Sequence, residues 1–244
     1  MTRREFFQRR IPRYRKDPLL FFKEVTHFEP DPWQREAAVA VSQHRRVAIR
    51  SGQGVGKTAL EANLMWWFIA CFSYPRIVCT APTMQQLDNV LWAEMAKWLD
   101  ASPVLQMMFT WTKTRVYMNG YDRRWFAVPR TATKPESLQG FHEDNMFFVV
   151  DEASGVADPI LDAIGGTLTG ANNRLLYCGN PTKATGGFAE SFQGDGMDWY
   201  CMTVSSRDSP RTSKENIAAL EKKYGKKFQC GARPCRRPAA DRGQ

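Results

Sequence analysis

The sequence predicts an α/β protein whose mostly parallel β-sheet is flanked by helices. Short apolar runs typical of buried strands alternate with segments of helical periodicity along most of the chain. One of these runs leads through a glycine-rich loop directly into a long apolar helix, and this order is typical of phosphate-binding α/β proteins. No repeat of fixed period is present.

The predicted strands occupy residues 47–49, 76–80, 114–118, 123–128, 146–150, 175–178 and 200–204. Residues 114–118 and 123–128 alternate in polarity and are interpreted as a strand pair. The predicted helices occupy residues 33–44, the stretch from the loop to about residue 72, and residues 84–100.

The composition is that of a globular protein, with 43% hydrophobic and 24% charged residues. The longest apolar stretch, residues 64–72, is much shorter than the roughly 20 residues that cross a bilayer, so we expect no membrane span. The basic first residues lack the apolar segment of a secretory signal, which predicts a cytoplasmic location. The six cysteines are scattered and predict reduced, mostly buried thiols rather than a metal site.

The excess of positive charge lies at the two ends of the chain. Residues 1–16 and 220–244 each carry a net charge of +6, whereas the remainder carries −3. A charge run is often only a solvated segment. Two basic ends are nevertheless compatible with an attraction to nucleic-acid phosphates that weakens as salt rises.

The loop after the first predicted strand carries the clearest chemical signal. Its residues are Ser51, Gly52, Gln53, Gly54, Val55, Gly56, Lys57 and Thr58. Such a loop turns backbone N–H groups toward an anionic oxygen, and the helix that follows adds the positive end of its dipole. Lys57 is expected to reach the β- and γ-phosphates of ATP, and Thr58 to place its hydroxyl on Mg²⁺.

One position of this loop departs from the usual pattern. Ser51 stands where the motif ordinarily has its first glycine. We therefore expect Ser51 to adopt the turn itself, with the three glycines of the loop supplying conformational freedom.

An apolar strand that ends in two acids provides the second part of a nucleotide-hydrolysing site. Residues 147–150 lead into Asp151 and Glu152. Asp151 is expected to hold Mg²⁺ directly or through water, and Glu152 to polarise the attacking water as a general base. With the loop, this pair predicts a P-loop NTPase of the ASCE type.

The next predicted strand ends in Gly179, Asn180 and Pro181. We expect the amide of Asn180 to lie near the γ-phosphate and to respond to its presence. An ordinary Asn-Pro turn is the alternative.

The order of these motifs resembles the large subunit of tailed-phage DNA-packaging terminases, over about residues 17–225. The segments that carry the resemblance are Trp33-Gln34, residues 51–58, residues 80–83 with Gln85 or Gln86 after them, residues 137–142, residues 150–154 and residues 179–181. The resemblance implies a Mg²⁺-dependent ATPase domain at residues 31–225 that drives double-stranded DNA into a prohead. It also implies a portal protein, a small terminase subunit and a homo-oligomeric ring as partners.

In that family a Trp-Gln pair contributes to adenine recognition. The resemblance therefore implies that Gln34 hydrogen-bonds the edge of the base while Trp33 packs nearby. A Trp beside an amide also serves simply to anchor a helix to a core, which is the alternative.

The resemblance also concerns the two ends of the chain. Family members usually continue into an RNase-H-type nuclease domain, which we do not expect in these 244 residues. Residues 1–30 are interpreted as a basic lead-in. Residues 226–244 are interpreted as a disordered basic tail, such as a truncation, a frameshift or a prophage remnant would leave.

The arginine that would stabilise transition-state charge has no obvious place in the loop. Some terminases carry an arginine where this chain has Gln53, so the arginine here must come from elsewhere in the chain or from a neighbouring subunit. Arg130 is the first candidate, and Arg124 and Arg50 are the alternatives.

Two other functions are compatible with these motifs. The first is a helicase-like DNA-dependent translocase, although the chain after residue 182 is short for a second motor lobe. The second is a remnant that binds nucleotide without hydrolysing it. A small-molecule kinase is disfavoured because such kinases do not ordinarily carry adjacent Asp and Glu residues at the strand end.

Overall fold

The computed structural model describes residues 3–131, 143–193 and 198–213, and also residues 215, 217, 218 and 222. The predicted tail at residues 226–244 and the motif at residues 137–142 lie outside the described residues. Among the described residues, no helix combines the length and the apolar character needed to span a membrane.

An eight-stranded sheet forms the centre of the molecule. Its strands are β1 (Arg46–Ser51), β2 (Arg76–Thr80), β3 (Phe109–Thr112), β4 (Arg115–Met118), β5 (Phe126–Pro129), β6 (Met146–Val150), β7 (Arg174–Gly179) and β8 (Trp199–Val204). In space they run β3-β4-β5-β2-β6-β7-β1-β8. The strands from β5 to β8 in this order are parallel, whereas β4 and β3 extend the sheet in antiparallel fashion.

The predicted strands are all present, and the mostly parallel α/β fold is confirmed. The predicted pair at residues 114–118 and 123–128 corresponds to β4 and β5. Strand β3 was not predicted, because its four residues, although they alternate in polarity, follow a short helix directly and are few. Pairing with β4 defines it, since Thr112 Oγ1 closes the turn by accepting the Arg115 N–H at 3.0 Å.

The helices cover both faces of the sheet. They are α1 (Arg3–Lys16), α2 (Pro18–Phe21), α3 (Pro32–Gln43), α4 (Lys57–Cys71), α5 (Met84–Gln86), α6 (Ala93–Asp100), α7 (Pro103–Met108), α8 (Asp158–Thr167) and α9 (Gly187–Glu190). The helix predicted at residues 84–100 is interrupted by a π-helical segment at Leu87–Trp92. A second π-helical segment, Phe22–Thr26, follows α2.

Helix α4 is buried on nearly all sides because the sheet lies on one side and the N-terminal helices lie on the other. Trp67 in α4 donates its indole N–H to the carbonyl of Tyr14 at 2.7 Å. Arg15 donates to the carbonyl of Cys71 at 2.8 Å, at the end of α4. Phe21 and Phe22 are fully buried in the same core as α4. The N-terminal segment is therefore integral to the core as far as it is described.

The opposite face of the sheet is covered mainly by α8. Ile160, Leu161 and Ile164 of this helix join a second apolar cluster with side chains of β6 and β7. Cys71, Cys79 and Cys178 are buried free thiols and Cys201 is a partly buried one, as the sequence predicts for these four.

One carboxyl group is enclosed among the mostly apolar buried side chains of α4. Glu61 is 0% exposed and lies one helical turn after Lys57. Burial raises the pKa of Glu61 well above its ordinary value, and the charge of Asp151 adds to the rise. The Cys178 thiol and Lys57 act in the opposite direction without reversing it.

The N-terminal aromatic residues should contribute strongly to stability. Replacing Phe22, which is fully buried and packs edge-to-face on Phe21 and Phe28, by Ala should lower the free energy of unfolding by about 3–5 kcal/mol. Denaturant unfolding measures the loss. Tyr121→Ala is the control, because Tyr121 is 47% exposed, and its loss should be clearly smaller. Equal losses in the two variants would contradict the conclusion that the N-terminal aromatic residues belong to the core around α4.

Glu61 should make stability depend on pH. A carboxyl whose pKa is higher in the folded than in the unfolded chain contributes stability at low pH, which is lost as the pH rises toward the folded-state pKa. The loss is about 1.4 kcal/mol per pH unit. Glu61→Gln lacks this titration, so its stability relative to the wild type should be greater at pH 7.5 than at pH 5 in denaturant unfolding. The control is the exposed Glu29→Gln, whose relative stability should not follow this trend; the same pH response in both variants would refute the assignment.

Candidate functional site

The glycine-rich loop connects β1 to α4 through two left-handed residues. Gly54 has φ +72° and Gly56 has φ +92°, a region that favours glycine because it lacks a Cβ. Gly56 is the N-cap of α4, so the helix begins at Lys57. The N-terminus of a fifteen-residue helix therefore opens at the loop.

The expectation that Ser51 adopts the turn is wrong. Ser51 is the last residue of β1, is 3% exposed and pairs with Val204 of β8. The pairing continues one residue further, because the Gly52 N–H donates to the Val204 carbonyl at 3.0 Å. Gly52 is needed for a different reason: a Cβ there would lie 2.0 Å from Ser206 Oγ.

Lys57 lies between the ends of two other strands. Its ammonium donates to Asn180 Oδ1 at 3.1 Å and lies 3.5 Å from Glu152 Oε1. The Asn180 N–H reaches Glu152 Oε2 at 3.5 Å. The structure thus brings together three residues that are remote in sequence and were singled out separately.

Sheet order explains this convergence. Strand β7 is paired with both β1 and β6, and all three are parallel. Their carboxyl ends meet at one edge, where α/β sheets place their binding sites. The loop follows β1, the two acids follow β6 and Asn180 follows β7.

The two adjacent acids have different environments. Asp151 is 5% exposed, and its carboxylate accepts the Glu152 N–H at 2.9 Å. Burial raises the pKa of Asp151 to about 6, with the charge of Glu152 adding and Lys57 opposing. The side chain of Glu152 is 33% exposed and faces Lys57. The buried carboxyl is suited to hold a cation, and the more accessible one to reach a water molecule.

The backbone of Glu152 is strained. Its φ of +48° and ψ of +44° lie in the left-handed region, which a non-glycine residue adopts only when its surroundings impose it. The turn packs tightly on β7, since a Cβ at Gly179 would lie 3.0 Å from the Ala153 N atom. Ser154 and Thr182 share a hydroxyl hydrogen bond of 2.7 Å that ties the turn to the segment after Asn180.

Gln34 lies against the loop. It is 0% exposed, its amide oxygen accepts the Asp31 N–H at 2.7 Å, and its amide nitrogen donates to the Gly56 carbonyl at 2.9 Å. Both ends of the amide thus bind protein atoms, and the contact of Gln34 with the edge of the adenine stays a prediction. Trp33 is partly buried and packs on the main core.

The three candidate arginines occupy different places. Arg124 stacks on Tyr74, which precedes β2, and so lies at the opposite edge of the sheet from the loop. Arg50 donates to Thr203 Oγ1 at 2.8 Å and lies over the ring of Phe192. Arg130 follows β5 at the carboxyl edge, where its N–H donates to the Cys79 carbonyl, and its side chain is exposed.

Two groups near the site were not predicted. Glu61 is the one acidic residue of α4, and an acid within an apolar helix is a signal that the sequence does offer. Ser206 donates to the Gln53 carbonyl at 2.9 Å. No local sequence motif identifies Ser206, because its position next to the loop depends on the pairing of β8 with β1.

Comparisons with known proteins identify the family of the chain. The family model "Phage terminase large subunit gpA, ATPase domain" matches residues 24–191. A protein of Enterobacteria phage P7 described as "Probable terminase, large subunit" is 28% identical over 209 residues, which cover 79% of this chain and 42% of that protein. The chain thus spans less than half the length of this relative.

Solved structures share the fold. The large terminase ATPase domain of Thermus phage P74-26 superposes with a TM-score of 0.66 at 17% identity, covering 84% of this chain and 92% of that one. The large terminase of a thermophilic bacteriophage, solved in complex with ATP-gamma-S, gives a TM-score of 0.59 at 13% identity, covering 88% of this chain and 50% of that one.

The loop, the acid pair and Asn180 meet at one edge of a fold shared with terminase ATPase domains, and a family model covers most of the chain. This chain belongs to the family of phage terminase large subunits of the gpA type, and its matched residues correspond to the ATPase domain of that family.

Proposed function

We propose that this chain hydrolyses ATP in a Mg²⁺-dependent manner and uses the energy to move double-stranded DNA into a prohead. The observation that carries this proposal is the position of Lys57, which contacts both Asn180 and Glu152 at the end of the glycine-rich loop. These contacts join a phosphate-binding group, a γ-phosphate sensor and a general base within one site. The ATP-gamma-S bound to the terminase of the thermophilic bacteriophage supports a nucleotide as the ligand.

The residues of the loop would hold the triphosphate. The N–H groups of Gln53, Gly54, Val55 and Gly56 lie just before the start of α4, and the helix dipole favours negative charge there. Lys57 is 9% exposed, so its charge acts with little screening by water. Binding of a phosphate would offer Lys57 a new partner in place of Asn180, which lets Asn180 respond to the nucleotide.

Thr58 and Asp151 would hold Mg²⁺. A hydroxyl and a carboxylate are the hard oxygen ligands that this ion prefers. The carboxylate of Asp151 is 5% exposed and has the negative Glu152 beside it, an arrangement that is unfavourable without a nearby cation. When bound, Mg²⁺ supplies positive charge to the phosphate oxygens.

Glu152 would act as the general base. Its carboxylate is oriented by Lys57 and by the Asn180 N–H, and it remains partly open to solvent. A water molecule could thus be polarised on the side of the γ-phosphate. The left-handed backbone holds the carboxylate in this direction.

Arg130 would stabilise charge in the transition state, within its own subunit or in a neighbouring one. Its position at the carboxyl edge of the sheet and its exposure support this role over Arg124 and Arg50.

The partners follow from family membership. We propose that the chain acts in the host cytoplasm with a portal protein, a small terminase subunit and further copies of itself arranged as a ring. We also propose that any DNA cleavage resides outside the ATPase domain that the family model matches.

Turnover should depend on two residues in different ways. Lys57→Ala should abolish ATP binding and hydrolysis, whereas Glu152→Gln should retain ATP binding and lower the turnover about 100-fold or more, because only the base is lost. ATPase assays and nucleotide titrations measure both effects. Lys113→Ala, on the exposed turn between β3 and β4, is the matched control.

Two outcomes would overturn the proposed activity. Turnover that survives in both site variants would place the chemistry elsewhere. Nucleotide binding without measurable turnover in the wild type would instead identify the chain as a non-catalytic remnant.

The contribution of Arg130 should be measured in the motor assembled on DNA, because the arginine could act in its own subunit or in a neighbouring one. Arg130→Ala should lower the DNA-stimulated ATPase rate by about 10³-fold or more, as loss of such an arginine does elsewhere. Arg124→Ala, which alters an arginine at the opposite edge of the sheet, should leave the rate unchanged. An unchanged rate in Arg130→Ala would exclude this residue.

A further inference from the structure

The outward side of the glycine-rich loop is held by side chains from two distant segments. Ser206 Oγ donates to the Gln53 carbonyl at 2.9 Å, and Gln34 Nε2 donates to the Gly56 carbonyl at 2.9 Å. Thr212 Oγ1 makes a longer contact of 3.5 Å with the Gly54 carbonyl. Three carbonyl groups of a short loop therefore have partners outside the loop.

A carbonyl held from outside determines where the next N–H points. The peptide unit is planar and trans, so the C=O of one residue and the N–H of the next point in opposite directions. Ser206, by holding the Gln53 carbonyl, turns the Gly54 N–H toward the inner side of the loop. Gln34 contributes in the same way to the orientation of the Lys57 N–H, because it holds the Gly56 carbonyl, which also accepts the Leu60 N–H at 3.5 Å at the start of α4.

These orientations need support because glycine does not supply it. Gly54 and Gly56 have positive φ, but a glycine backbone visits many other conformations at little cost. A loop free to rotate its peptide units would lose conformational entropy on binding phosphate, and an ordered loop avoids that loss.

The two supports are themselves firmly placed. Ser206 is 1% exposed and begins a short 3₁₀ turn just after β8, whose pairing with β1 brings it to the loop. Gln34 is 0% exposed near the start of α3. A salt bridge of 2.8 Å between Arg211 and Asp31 joins the two segments, because Asp31 is also the residue whose N–H binds Gln34.

We propose that Ser206 and Gln34 are positioning residues for the triphosphate, which orient the N–H groups of the loop by holding its carbonyl groups from outside. The proposal rests on the proposed ATP site. It assigns Ser206 a role that no motif indicates. It also assigns Gln34 a role toward the phosphates in place of direct contact with the base.

Inorganic tripolyphosphate distinguishes a role toward the phosphates from a contact with the base, because it has the phosphate chain of ATP without the base. Calorimetric titration of the full 244-residue chain with ATP and with tripolyphosphate, each with Mg²⁺, measures both affinities. It also reports stoichiometry separately, so a loss of folded protein lowers the stoichiometry and leaves the affinity intact.

Two variants test the two supports independently. Ser206→Ala removes the hydroxyl, and Gln34→Met keeps the length of the side chain but removes the donor that faces the Gly56 carbonyl without adding a charge. Each variant should bind ATP and tripolyphosphate more weakly by the same factor, on the order of tenfold, because one hydrogen bond to a loop carbonyl is lost. Ser42→Ala is the matched control, because that hydroxyl donates to the Val39 carbonyl within α3, and the affinities of this variant should not change.

The remaining outcomes are distinct. Weaker ATP binding with unchanged tripolyphosphate binding would show a contact with the base and overturn the proposal. Wild-type affinities in both variants would also overturn it while leaving the proposed ATP site standing. A wild-type chain that binds neither ligand would instead refute the ATP site itself, and this proposal with it.

Discussion

The contact of Lys57 with Asn180 and Glu152 is the interaction on which the rest of the site depends. The lysine is almost fully buried, and a buried charge is tolerated only with well-placed polar or charged partners. Those partners follow the ends of β7 and β6, so the site exists only because β7 pairs with β1 on one side and with β6 on the other. The order of strands in the sheet is therefore a condition for the chemistry as well as for the fold.

The glycine-rich loop is positioned by structure on both of its sides. On the inner side, Lys57 at the start of α4 contacts Asn180 and Glu152. On the outer side, Ser206 and Gln34 hold loop carbonyl groups. Helix α3 and the segment after strand β8 thus hold the loop in place, and the close approach of Ser206 explains why residue 52 is glycine.

The site gathers acidic groups inside an apolar frame. Asp151 and Glu61 are both buried, and burial raises the pKa of each. Lys57 offsets part of this cost, and a divalent cation would offset more of it. The left-handed backbone of Glu152 adds conformational strain, and the tight packing of its turn on β7 keeps it in that conformation. These groups therefore make the fold less stable than it would be with apolar side chains at the same positions.

The sequence by itself determined the mostly parallel α/β class, seven of the strands, the glycine-rich loop and the choice of Lys57, Asp151, Glu152 and Asn180 as candidate site residues. These features are local, since periodicity and motif chemistry reside in a few neighbouring residues. Only the tertiary structure decided that Ser51 stays in β1, that β3 forms, that Gln34 binds the loop and that Ser206 supports it. Each of these depends on a partner remote in the chain, and local sequence does not specify which segments become neighbours.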